Sequence, residues 1–359
     1  MICPVLIRLR VKNATLSAMT PVIRVAVPAP VHRSFDYLPP EHGSLPALGA
    51  RVRVPFGARS MVGVVTAVGV PANIAAQRLK PVAAVLDSEA LLPPRLCELL
   101  DWAARYYHHP AGEVYATALP VLLRAGRPAR RREMLCWRLT AAGAVVAGGA
   151  FSRAPRQRQL MQRLTGQAQG LADPQLRDGI PNATAILRRL RDHGWVETCA
   201  APQPVATQAE PGPPLHPEQR AALDAVAVEA GGFAVTLLQG VTGSGKTEVY
   251  LQLARRALAA GRQVLVLVPE IGLTPQLVAR FSARLGSAPA VLHSALTGEQ
   301  RLDAWLAARS GAAAVVLGTR SAVFAPLPRL GLVVVDEEHD NSYKQQDGLR
   351  YCARDVAVR

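Results

Sequence analysis

From residue 234 onward, short apolar runs alternate with longer amphipathic segments, and this alternation most restricts the fold. AVTLLQG (234–240), QVLVLVPE (263–270), APAVLHS (288–294), AAAVVLGT (312–319) and LGLVVVDEEH (330–339) are the runs. Between them lie TEVYLQLARRALAAG (247–261), LTPQLVARFSARLG (273–286) and EQRLDAWLAARS (299–310). Continuous Val/Leu runs are buried on both faces, and strands separated by helices pair in parallel. The pattern therefore predicts a parallel α/β sheet, with AVTLLQG as its first strand.

The first junction in this pattern carries chemistry. In LLQGVTGSGKTEVYL (237–251), Gly240, Gly245, Lys246 and Thr247 satisfy the spacing G-x-x-x-x-G-K-[ST] of a phosphate-binding loop. Glycines at 240, 243 and 245 let backbone N–H groups turn toward phosphates, and the following helix N-terminus favours anions. The loop residues Gly240, Val241, Thr242, Gly243, Ser244, Gly245, Lys246 and Thr247 form the predicted nucleotide cradle. Lys246 is predicted to neutralise the outer phosphates and Thr247 to ligate Mg²⁺. The complementary acids stand at the end of LVVVDEEHD (332–340): Asp336 for the Mg²⁺ shell and Glu337 for the attacking water. Two acids at an exposed strand end also suit a helix cap, but the paired loop favours the catalytic reading.

At 359 residues the chain has room for about two or three domains. Its net charge is +15, which suggests a polyanionic partner. Of 41 basic residues only Lys12, Lys80, Lys246 and Lys344 are lysines, so Lys246 stands out as a compact charge. No apolar run approaches the roughly 20 residues of a membrane helix. An arginine early in MICPVLIRLR argues against a signal peptide. The five cysteines are scattered without C-x-x-C spacing, which predicts reduced thiols, no zinc site in this chain and a cytoplasmic setting.

The front of the chain reads differently. VIRVAV, ARVRVPFG, MVGVVTAVGV and KPVAAVLD, within 21–87, predict a small barrel or sandwich. LPPRLCELLDWAARYYHH (92–109) has helical periodicity through Leu96, Leu99, Leu100, Ala103 and Tyr107. Ten arginines and one acid, Glu133, occupy 124–163, either as a solvated face or as a DNA contact. PNATAILRRLRDHGWVE (181–197) predicts a helix capped by Asn182 or Thr184 and leaving at Gly194. With the basic helix before it, this suits a winged helix-turn-helix, although a plain helical hairpin reads almost the same. Residues 198–214 read as a linker.

The tetrad Asp336-Glu337-Glu338-His339 resembles motif II of superfamily 2 helicases. LHPEQRAALDAV (215–226), VLVLVPEIGLTPQ (264–276) and LGTRSAVFAPL (317–327) resemble further motifs in the same order. That resemblance makes Gln219 an adenine reader. It makes Thr319, Arg320 and Ser321 a phosphate grip on DNA. Over LLQGVTGSGKTEVYL, LVPEIGLTPQ and DEEHDNSYKQQDGLRYCARDVAV the chain resembles the primosomal replication-restart helicases, the PriA family. HRSFDYLPP, RVRVPFG, LKPVAAVLDSE, WAARYYHHPAGEVYATALP and LLRAGRP extend the resemblance back to about Met19.

The resemblance implies an α/β and α+β multidomain chain. A β-rich 3′-DNA-end-binding domain would cover 19–118, a winged-helix domain 119–200, a linker 201–214, and the first RecA-like parallel α/β motor lobe 215–359. Residues 1–18 would be an extra tail or a misassigned start. The implied pocket for a nascent 3′ end is Phe35, Asp36, Tyr37, Gly57 and Lys80; without the resemblance, Phe35 and Tyr37 read as core residues. NSYKQQDGLRYCARD (341–355) corresponds to an aromatic-rich loop in which Tyr343, Lys344 and Tyr351 would meet bases and backbone. Leu349 stands where several relatives have an aromatic, and Arg354 with Asp355 also suits a structural ion pair.

The implied cofactors are ATP and Mg²⁺. The implied partners are stalled forks, D-loops and single-stranded DNA, other primosome proteins and single-strand-binding protein. Motif III, a second lobe with arginine fingers and a zinc-binding cysteine module are expected beyond Arg359. The reading is therefore an ATP-dependent 3′→5′ helicase when intact, with a non-catalytic, fork- and ATP-binding adapter as the alternative for this chain alone.

Overall fold

The computed structural model describes residues 22–72, 76–131, 135–147, 154–200, 209–226, 232–241 and 243–359. Residues 1–18 and Thr242 lie outside them. The front unit has strands β1 (Val22–Ala26), β2 (Phe35–Tyr37), β3 (Arg51–Phe56), β4 (Arg59–Val70) and β5 (Ala84–Val85). They form an antiparallel sheet in the order β2-β1-β4-β3-β5. Alternation along β1 and β3 buries Ile23, Val25, Val52 and Val54 in one small core with Val65 and Val82.

Arg51 is fully buried in β3. Its guanidinium is satisfied by both oxygens of Asp87 and by the carbonyls of Leu123 and Arg127. Three helices follow, α1 (Pro94–Tyr106), α2 (Ala111–Thr117) and α3 (Val121–Arg124), and the pair ties the sheet to the last of them. Helix α2 lies so close to the end of β1 that a Cβ at Gly112 would fall 1.7 Å from the Val27 carbonyl oxygen, which only glycine tolerates.

The second unit runs β6 (Leu135–Leu139), α4 (Ala141–Ala147), α5 (Pro155–Leu164), β7 (Leu171–Ala172), α6 (Asp173–Arg177), α7 (Ala183–Asp192) and β8 (Val196–Ala200). Its antiparallel sheet has the order β7-β6-β8, and Leu160, Met161, Leu164, Leu187 and Leu190 pack beneath it. Gly194 takes the left-handed exit at φ 72°. Asn182 occupies the N-cap position of α7, but its own φ is 60° and its side chain caps nothing, so the predicted capping bond is absent. A left-handed cap residue points its side chain away from the free N–H groups.

The third unit contains α8 (Pro217–Ala225), α9 (Lys246–Ala259), β9 (Gln263–Leu267), α10 (Pro275–Leu285), β10 (Ala290–Leu292), α11 (Gly298–Ser310), β11 (Val315–Gly318), β12 (Leu330–Val335) and α12 (Ala353–Val358). The strands pair in parallel in the order β10-β11-β9-β12. Buried Gln263 locks the start of β9, donating to Ala308 and Ala313 carbonyls and accepting from the Arg329 N–H.

The predicted first strand differs. Residues 234–240 form no ladder, and Val235 and Leu237 are exposed. The described sheet ends at β12, and the run does not join its open edge, so it makes no strand hydrogen bonds.

The front and third units share one hydrophobic core. Leu100, Val114 and Leu123 join Leu267, Trp305 and Phe324 in it. Trp305 donates its indole N–H to the Ala118 carbonyl at 2.9 Å. Arg309 donates to Leu91 and Ala90. The amide of Cys352 reaches the Tyr107 hydroxyl at 3.4 Å. The helix expected at 92–109 is thus a joint between units as well as part of the front unit.

Candidate nucleotide site and DNA-facing surfaces

Gly245, at φ 82°, caps α9, and Gly243, at φ 83°, turns the loop before it. A Cβ at Gly245 would lie 2.3 Å from the Gln219 amide nitrogen, a side-chain end that can shift, so it is the left-handed backbone that calls for glycine there. Gln219 donates to the Ser244 carbonyl at 2.9 Å and accepts from the His216 N–H at 3.0 Å. The predicted adenine reader therefore braces the phosphate loop in this conformation, because both ends of its amide are engaged.

Lys246 opens α9 and extends its ammonium to the carbonyls of Gly240, at 2.8 Å, and Val241, at 3.4 Å. It stands 3.9 Å from Glu337. These loop oxygens hold the lysine where phosphate oxygens would compete for it. Tyr250, four residues on and so on the same helical face, donates its hydroxyl to the Asp336 carboxylate at 2.7 Å. Burial, reinforced by that hydrogen bond and the nearby acids, raises the Tyr250 pKa well above its usual value. The phenol therefore stays a donor.

Asp336 and Glu337 follow β12 directly. The Asp336 N–H is held by the Leu267 carbonyl, and Glu337 sits at φ 45°, uncommon for a residue with a side chain. Lys246, Asp336 and Glu337 thus converge on the start of α9, where the half-buried Thr247 is also placed. Backbone N–H groups, an ammonium, a hydroxyl and two carboxylates form a donor set that fits a magnesium nucleotide.

The aromatic loop is arranged otherwise than the sequence predicts. Tyr343 is 1 % exposed, and its hydroxyl donates to the Asp336 and Leu267 carbonyls at 2.6 and 3.0 Å. Tyr351 is 2 % exposed and packs on Phe324 with ring centroids 5.0 Å apart. Neither ring offers a face to a base in this conformation, because both complete the core. Leu349 is buried with them. Lys344 is exposed. Arg320 spans to the Ser342 and Lys344 carbonyls, and Thr319 is buried, so the predicted phosphate grip instead clasps the loop. Arg354 bridges Glu338 and Asp355 as an ion pair.

In the front unit, Phe35 meets Phe56 edge to face at 5.0 Å, beside Gly57 in its β3–β4 turn. The Tyr37 hydroxyl donates to the Pro55 carbonyl, and burial pushes its pKa up to about 12. The Leu38 N–H bonds the Lys80 carbonyl, which brings exposed Lys80 to the end of β2. Phe35, Tyr37, Gly57 and Lys80 therefore gather at one sheet end. Asp36 does not join that face: strand alternation turns it to Arg24, which donates to both its oxygens at 2.8 and 3.3 Å. Arg24 was missed in the sequence, where it reads only as the polar interruption of VIRVAV. Tyr250 was missed too, though its i+4 spacing from Lys246 was a usable signal.

Comparison with known proteins follows this division. Residues 24–120 match the 3′DNA-binding domain (3′BD) of PriA, and residues 216–359 match the DEAD/DEAH box helicase family. The chain belongs with the PriA replication-restart proteins. It is 42 % identical to the replication restart protein PriA of Haemophilus influenzae over 94 % of this chain and 47 % of that protein. It is 31 % identical to PriA of Bacillus subtilis over 92 % of this chain and 50 % of that protein. A shorter match, 45 % identical over 41 % of this chain, is to PriA of Rickettsia felis. The chain spans about half the length of these Haemophilus and Bacillus relatives. No helix among the described residues is long and apolar enough to cross a membrane.

Proposed function

We propose that this chain supplies the DNA-recognition units and the first ATP-binding lobe of a replication-restart helicase. The observation that carries the reading is the convergence of Lys246, Tyr250, Asp336 and Glu337 at one helix start, in a chain whose front unit matches a 3′-DNA-binding domain. In this reading the loop from Gly240 to Thr247 holds the nucleotide phosphates with Lys246 as counter-charge. Thr247 and Asp336 hold Mg²⁺, and Glu337 orients and deprotonates the attacking water. Gln219 reads adenine after releasing Ser244.

Residues 19–118 receive the nascent 3′ end through Phe35, Tyr37, Gly57 and Lys80, with Asp36 accepting from the terminal hydroxyl after exchanging Arg24. Residues 119–200 act as a winged helix, and 215–359 as the first motor lobe after the linker 201–214. Tyr343, Lys344 and Tyr351, with Thr319 and Arg320, contact the strand once the loop opens. The intact protein recognises stalled forks and D-loops, unwinds 3′→5′, and assembles further primosome proteins and single-strand-binding protein in the cytoplasm.

A second reading, a non-catalytic adapter, is favoured by residues 232–241, which enter the phosphate loop without a sheet partner, and by the hold of loop carbonyls on Lys246. DNA-stimulated ATP hydrolysis by residues 1–359 separates the two. Turnover abolished in Lys246→Ala supports the motor, and nucleotide binding without turnover supports the adapter. For recognition, equal affinity for forks with and without a 3′ end at the branch would remove the end-pocket assignment.

A further inference from the structure

We infer that the groove between α3 and α11 is an anion site that holds one phosphodiester of a bound DNA strand, through Arg124 and Arg301, at the seam between the front unit and the motor lobe. The groove is walled by Thr117 and Arg124 on the front unit and by His293, Arg301, Trp305 and Ser321 on the lobe. None of the described residues that line it is acidic.

Arg301 is fixed in place: its guanidinium donates to the carbonyls of His293 at 2.8 Å and Ser294 at 3.1 Å. Its remaining N–H donors stay available to a ligand. Of the acids flanking Arg301 on α11, Glu299 is paired with Arg127 and Asp303 does not line the groove. The Arg124 guanidinium makes no hydrogen bond or ion pair with the described residues. Partial desolvation and, second, the like charge of Arg301 pull the Arg124 pKa below its usual value.

Two guanidiniums that face one groove without an acid repel each other, and an anion between them turns the repulsion into two charge-assisted contacts. Arginine forks match phosphate oxygens in pairs. The Ser321 hydroxyl lies in the same groove, one residue beyond Arg320, and supplies an uncharged donor.

Position selects DNA over a free anion. The 3′DNA-binding match ends at residue 120, immediately before α3, and the helicase match contains α11. The Trp305–Ala118 hydrogen bond and the shared core hold the two units in fixed relation across the groove. A strand running from one DNA-binding unit to the other therefore crosses this seam, and a fixed positive notch there sets its register. The inference rests on the DNA-binding part of the proposed function and not on ATP turnover.

The test is fluorescence anisotropy of the full chain on a labelled fork across a salt series, with Arg124→Gln and Arg124→Lys. Arg124→Gln is expected to melt like wild type, weaken binding about tenfold, and make the slope of log K against log salt shallower by about 0.7–0.9. Arg124→Lys is expected to keep the slope. Thr117→Glu, which puts a carboxylate into the groove and leaves both arginines intact, is expected to reproduce the loss and covers a folding failure of Arg124→Gln.

Wild-type affinity and slope in Arg124→Gln and Thr117→Glu would overturn the inference. So would inorganic phosphate that raises the melting temperature of wild type but not of Arg124→Gln while the DNA slope is unchanged; that result would assign the groove to a free anion. A wild-type chain that binds no fork at all removes the DNA reading of the previous section, and this site with it.

Discussion

The Tyr250 hydroxyl donates to the Asp336 carboxylate at 2.7 Å, so the helix that begins with the phosphate-loop lysine also aims the acid that follows β12. A second tyrosine, Tyr343, holds the Asp336 carbonyl from the other side at 2.6 Å. The acid is thus fixed at side chain and backbone by phenols from two separate segments.

Tyr250→Phe should therefore loosen the acid while leaving the packed ring in place. Removing one such hydrogen bond changes folding stability by about 1 kcal/mol. Mg²⁺-dependent nucleotide binding should weaken about three- to tenfold, with Mg²⁺-independent binding unchanged. Calorimetric titration with and without Mg²⁺ reads both, and a wild-type Mg²⁺ dependence would show that Asp336 needs no such support.

Stability should fall on the alkaline side. Burial raises the pKa of Tyr37 to about 12 and those of Tyr115, Tyr250 and Tyr343 further. In the unfolded chain these phenols ionise near about 10. Between those values the unfolded state has lost protons that the folded state keeps, so unfolding free energy declines as pH rises. The contribution is complete below about pH 10. Denaturant midpoints should hold to that point and then drop, with tyrosinate absorbance appearing late and together with unfolding.

Arg51→Ala should be severely destabilising. It leaves Asp87 in a protein interior without its guanidinium and strands the Leu123 and Arg127 carbonyls. Breaking a buried pair typically costs about 3–5 kcal/mol. Chemical denaturation gives the value, and a change below about 1 kcal/mol, the usual range of a surface pair, would mean that water replaces the guanidinium easily.

Arg320→Ala should free the aromatic loop. The side chain holds the Ser342 and Lys344 carbonyls at 3.0 and 3.1 Å. Hydrogen exchange should quicken across 341–352 while β9 and β11 stay protected. If DNA binding needs Tyr343 or Tyr351 exposed, the variant should also bind single strands more tightly. Unchanged exchange in the loop would show that Tyr343 and Tyr351 anchor it without help from Arg320.

Much of this was legible beforehand because it depends on local periodicity. The continuous apolar runs at 264–267, 315–317 and 332–335 are strands of one parallel sheet, and glycines 243 and 245 take the left-handed angles the loop requires. AVTLLQG has the same composition yet forms no strand, because strand hydrogen bonds come from a neighbour and not from the run itself. Tyr343 and Tyr351 were legible as aromatic but not as buried. An aromatic ring suits a base and a core equally well, and composition does not distinguish them.

The sequence by itself determined the chemistry available at each point: the lysine and threonine of the phosphate loop, the acids after β12, and the arginine excess. Tertiary structure alone decided which groups meet. Strand alternation turned Asp36 away from Phe35 and Tyr37 to Arg24, helix phase put Tyr250 on Asp336, and packing of α3 against α11 faced Arg124 with Arg301. Those pairings join residues 12, 86 and 177 positions apart, beyond the reach of any local pattern.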